Sequence, residues 1–160
     1  VSPDTIREIQ VYIYQNAITL AGIQYPRNQD ETKFSIQYTL ACTLLAGSYG
    51  ISDMNPPRMT EEVVSLIDRI RLIPDASMED RTRGVRGARV VIVKKNGERL
   101  EETVLAPRGD PENPLTRDDI IEKLRACAQG QADSKKLDML VEKILGIQDG
   151  RSFVNPMTVL

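Results

Sequence analysis

The sequence predicts an α+β fold: a mostly antiparallel sheet of about four strands, helices packed on one face, and a further helix towards the C-terminus. Three observations point there. Ile9, Val11 and Ile13 alternate with Gln10, Tyr12 and Tyr14, the period of two that marks a half-buried strand. Asn96-Gly97 separates two runs of strand formers, "ARVVIVKK" and "ERLEETVLA", as in a hairpin closed by a type I′ turn. Elsewhere, apolar residues recur at helical spacing between proline and glycine breaks.

The first strand is expected over residues 6–14. A polar loop, "YPRNQD", leads to a helix capped by Asp30 or Thr32 that runs to about Ala46 and stops at Gly47. After Pro56-Pro57, Thr60 caps a helix with an acidic first turn, whose apolar face is Val63, Leu66, Ile67 and Ile70. A short strand over 71–73 ends at Pro74. Residues 78–87 read as a mobile loop whose arginines, Arg81, Arg83, Arg86 and the adjacent Arg89, are solvated. The hairpin follows, and then a proline-rich loop ending at the capping residues around Thr116. Ile120, Ile121, Leu124, Cys127 and Ala128 form the expected buried stripe of the next helix. Gln129-Gly130 breaks it, and Asp133 or Ser134 opens a last helix with Leu137, Leu140, Val141, Ile144 and Leu145 on one face. The tail "SFVNPMTVL" is apolar for a terminus. The expected domains are an α+β body over 1–130 and a helix with its tail over 131–160.

Composition narrows the function classes. With 160 residues, 41% of them hydrophobic and 28% charged, the chain can bury a core. A net charge of −2 with mixed signs offers no basic field for nucleic acid or an anionic membrane. No apolar run nears the ~20 residues of a membrane span and no leader-type segment opens the chain, so a cytoplasmic setting is the expectation. Cys42 and Cys127 lack the spacing of a metal site and read as reduced core thiols. The chain contains no histidine, which removes the commonest general acid/base and transition-metal ligand. It opens at Val1 rather than at methionine, as a processed product or a piece of a longer protein does.

The stretch "KFSIQYTLACTLLAG", residues 33–47, carries two apolar lines: Phe34, Tyr38, Ala41 and Leu45 on one, Ile36, Leu40 and Leu44 on the other. A helix apolar on more than one face must be covered on more than one face, and one sheet cannot do that. A second body, absent from this chain, is therefore expected to meet it. By spacing alone Tyr38 reads as a core tyrosine whose hydroxyl finds a main-chain partner.

This block resembles the helix that opens the C-terminal part of the MmgE/PrpD family, which includes 2-methylcitrate dehydratase, cis-aconitate decarboxylase and iminodisuccinate epimerase. "VSLIDRIRLIPD", "VVIVKKNGERLEE", "PRGDPENPLTRDDIIEKLRACA" and the last helix are similar to successive parts of the same half, in order. The resemblance implies a smaller α+β domain, chorismate mutase-like, that closes a cleft against an all-helical domain bearing the histidines and lysines of the site. It implies small di- and tricarboxylate substrates, proton transfer beside a carboxylate, no metal and no cofactor, a homo-oligomer, and a C-terminal helix that returns to the helical domain. The family's S-x-Q-Y pattern falls on Ser35, Gln37 and Tyr38. Carried over, Tyr38 is the catalytic candidate, as hydrogen-bond donor or proton relay. Lys33, Ser35 and Gln37 are substrate-binding candidates. The competing reading is a stand-alone α+β module that binds a small molecule or a protein without chemistry. The reading frame upstream of Val1 separates the two.

Overall fold

The structure, a computed structural model, describes residues 1–128 and 133–147. Two compact units are found, Val1–Asn113 and Pro114–Leu160. In the first unit the elements in order are β1 (Ile6–Ile13), α1 (Gln15–Ala21), α2 (Gln29–Thr32), α3 (Ile36–Ala46), α4 (Glu61–Ile67), β2 (Ile70–Pro74), β3 (Glu79–Asp80), β4 (Val85–Arg86), β5 (Ala88–Lys94) and β6 (Arg99–Val104). The second contains α5 (Arg117–Cys127) and α6 (Ser134–Ile147). The fold is α+β, as predicted.

The main sheet has the order β2-β1-β5-β6, and β3 and β4 form a separate two-stranded ribbon. β1 runs parallel to β2 and antiparallel to β5, and β5 runs antiparallel to β6. Ile9, Val11 and Ile13 lie opposite Ile92, Val90 and Ala88 on the face covered by α3 and α4. There Ile6, Ile9, Val11 and Ile70 meet Tyr38, Ala41 and Cys42 of α3 and Val63, Leu66 and Ile67 of α4. Each large side chain buried in this way contributes roughly 1.5–3 kcal/mol. On the opposite face Val91 and Val93, also buried, lie in register with Gln10 and Glu8.

Several expectations need correction. Ile70 lies on a strand, not on the preceding helix: α4 closes at Asp68, and Ile9 N–H donates to Arg69 C=O while Ile70 pairs with Ile9, so sheet pairing claims the β-branched residue. The single helix expected from Asp30 or Thr32 is two. Asn28 caps α2 and Ser35 caps α3, because an antiparallel bridge between Gly22 and Ser35 and the bond from Ile23 N–H to Phe34 C=O draw the chain between them out of helical geometry. Phe34 is thereby left half exposed instead of lying on the helix. α1 was not predicted, since its residues show no amphipathic period and none is buried. Residues 78–87 hold the short β3–β4 ribbon. Arg89 is not simply solvated: its guanidinium lies 4.0 Å from the centre of the Tyr12 ring, with Glu101 at 3.3 Å and Asp75 at 3.8 Å.

In the second unit Leu137, Leu140 and Val141 of α6 are buried, in keeping with their helical spacing. The α5 stripe is not: Ile120 and Cys127 are exposed and Ile121, Leu124 and Ala128 are partly so. The reason is that Ile120, Ile121 and Leu124 line an open apolar groove of about 490 Å³, with Val141, Ile144 and Leu145 on its other wall. Cys127 is therefore a surface thiol, whereas Cys42 is a core thiol as expected. The Gln129-Gly130 break and the apolar tail lie outside the described residues.

Candidate functional site

The sequence places its candidates at the start of α3, and the local chemistry of that turn is well defined. Ser35 takes an extended conformation, and its hydroxyl accepts from Tyr38 N–H at 3.1 Å, closing the first turn. Tyr38 thus begins its helix with a capped amide, and its side chain enters the core with no exposed surface. The phenol packs edge-on against Tyr49, with ring centres 6.0 Å apart and an interplanar angle of 86°.

The hydroxyl of Tyr38 is engaged twice. It donates to Asp53 C=O at 2.5 Å and accepts from Arg58 N–H at 2.7 Å. Both partners are main-chain groups of the loop that follows α3. Burial pushes the phenol up to about 12, so it is a neutral hydrogen-bonding group throughout the neutral range. To donate to any other acceptor, the phenol must first give up Asp53.

The remaining candidates are less concentrated. Gln37 is buried, and its Oε1 has no hydrogen-bond partner among the described residues. Lys33 closes α2 and spends its ammonium on Asp30 at 3.0 Å, half exposed. Ser35 and Tyr38 are joined directly, while the Lys33 charge is held by its own helical turn.

Sequence reasoning missed Asp53 and Arg58. Asp53 Oδ2 accepts from Gly50 N–H at 2.9 Å, and Asp53 Oδ1 lies 3.3 Å from Arg58 Nη2. Their segment, "GISDMNPPR", shows no apolar period, and the requirement that a buried phenol find partners does not by itself single it out. Among the described residues no group of three or more histidines, cysteines or carboxylates is placed to hold a metal ion. No described helix is long and apolar enough to cross a membrane.

A model of the MmgE/PrpD C-terminal domain matches residues 1–145. The chain belongs to the MmgE/PrpD family. Among curated relatives, the cis-aconitate decarboxylase-like protein oryM of Aspergillus oryzae (strain ATCC 42149 / RIB 40) is 31% identical over 113 residues, which is 69% of this chain. The chain spans about a quarter of that relative's length, the match covering 23% of it. The MmgE/PrpD match runs through both compact units, from β1 to α6. It includes the capped turn with Ser35, Gln37 and Tyr38 and the loop that Tyr38 ties down.

Proposed function

We propose that this chain is the C-terminal domain of a cofactor-independent lyase or isomerase acting on small di- and tricarboxylates, of the 2-methylcitrate dehydratase type. It is completed by an all-helical domain carried on sequence outside these residues. The observation that carries the reading is the MmgE/PrpD match over residues 1–145, together with a span of only 23% of the relative. The absence of histidine from all 160 residues suits it, since general acid/base groups then come from the other part. Two apolar surfaces also suit it: Phe34 beside the start of α3, and the groove between α5 and α6. In this reading the start of α3, with Lys33, Ser35 and Gln37, borders the substrate cleft when the domains close, and Tyr38 serves it from beneath. The setting is cytoplasmic and the complete protein is a homo-oligomer.

The chemistry is removal of a proton from carbon beside a carboxylate, followed by loss of water, loss of carbon dioxide or re-protonation. The test is expression of the complete coding sequence and assay with 2-methylcitrate, cis-aconitate and iminodisuccinate. Turnover of one of these by the complete protein, with none by the 160-residue chain alone, is the expected result. Turnover by the chain alone overturns the reading. A start codon immediately before Val1, with no helical partner encoded nearby, favours the second reading, a binding module without chemistry. The observation that suits the module is the commitment of the Tyr38 hydroxyl to two main-chain groups.

A further inference from the structure

A phenol sealed in the core cannot touch a substrate, but the loop it holds can. Tyr38 grips that loop at both ends of residues 53–58, through Asp53 C=O and Arg58 N–H. Asp53 is fixed a second time by Gly50 N–H, and its side chain is only 13% exposed. The Arg58 side chain stands at the end of this clamp and is 42% exposed.

Other arginines differ in kind. Arg69 spends its guanidinium inside the fold, on Pro3 C=O, Ile6 C=O and Ser65. Arg89 is held between the Tyr12 ring and two carboxylates. Arg71 and Arg81 pair with Glu8 and Glu79 from side chains mostly in water. Arg58 combines a main chain pinned from the core with a guanidinium open to solvent. Its ion pair with Asp53 has Nη2 at 3.3 Å from Oδ1. A guanidinium has five N–H donors, so a two-pronged contact to a second carboxylate remains available. Asp53 holds the group in place without saturating it.

We propose that Arg58 binds a carboxylate of a small di- or tricarboxylate, and that Tyr38 is the residue that positions it. This rests on the polycarboxylate reading above and adds to it a cation that lies outside the S-x-Q-Y turn. Tyr38 then acts on the reaction through the loop, without contacting substrate. The guanidinium supplies recognition of a planar anion, for which lysine is a poorer substitute.

The experiment has two arms. In the first, the 160-residue chain is titrated with citrate at low ionic strength and followed by amide chemical shifts and calorimetry. The expected result is a response centred on Asp53, Arg58 and Tyr38. Arg58→Gln weakens citrate binding at least tenfold, Arg58→Lys weakens it less, and Arg83→Gln, the same charge change on an exposed arginine, leaves it unchanged. Tyr38→Phe, measured well below its melting temperature with an unaltered far-UV spectrum, weakens it several-fold. Equal affinity for wild type and Arg58→Gln overturns the proposal, as does a response centred elsewhere. In the second arm, Arg58→Gln in the complete protein raises KM at least tenfold with a smaller change in kcat. If the complete protein turns over a polycarboxylate and Arg58→Gln leaves KM unchanged, the Arg58 proposal fails alone. If it turns over none while citrate still binds through Arg58, the lyase reading fails alone.

Discussion

At the scale of single residues, Tyr38 governs the behaviour of this domain in alkali. An unfolded tyrosine titrates near ~10, whereas burial holds this one up to about 12. A group whose folded value is raised contributes stability that is complete below its unfolded value and is lost as pH climbs through the folded one. Chemical denaturation between pH 9 and 12 is therefore expected to show stability falling from about pH 10, with the slope reduced in Tyr38→Phe. At neutral pH that substitution leaves Asp53 C=O and Arg58 N–H without their partner, at a cost of about 1–3 kcal/mol. Gln37 gives the opposite sign. Its buried Oε1 has no partner among the described residues, so Gln37→Met is expected to raise stability by about 1 kcal/mol in urea titrations. Lower turnover by the stabilised variant in the complete protein supports a substrate role for the amide.

At the scale of elements, caps and close approaches decide where each segment stops. Ser35→Ala removes the cap of α3 and is expected to cost about 1 kcal/mol, seen as a lower midpoint at unchanged slope in urea. Gly87→Ala is expected to cost more than a surface substitution, because a Cβ there meets Val104 C=O at 2.8 Å and Leu105 Cα at 3.0 Å, both main-chain atoms. The same two kinds of signal explain what the sequence made legible. The Asn96-Gly97 hairpin and the β1 alternation are local, and both stand, but the turn is not the type I′ expected: Gly97 takes φ 89° while Asn96 does not take a positive φ, and the loop closes through Gly97 N–H to Lys94 C=O at 3.0 Å. What was not legible depended on partners distant in the chain. Ile70 looks helical until Ile9 pairs with it, and the 28–36 segment looks like one helix until Gly22 bridges Ser35. The candidate turn was visible through its resemblance. Asp53 and Arg58 were not, since the phenol that joins them comes from another element.

At the scale of the whole molecule, half-exposed Phe34 and the apolar groove between α5 and α6 predict that the 160-residue chain associates with itself. Light scattering is expected to show a mean mass that rises with concentration, and a fixed monomer mass across the range contradicts this. The sheet order carries a different consequence. β1 sits between β2 and β5, so neither of its edges has a neighbour until residues 70–94 have been made. The β5–β6 hairpin needs only nearby residues and is expected to gain amide protection first in pulse-labelling experiments. On a ribosome, β1 thus leaves the tunnel well before either of the strands that flank it. Ile9, Val11 and Ile13 pass that interval without cover, which makes the stage before the sheet closes the one most open to chaperone capture.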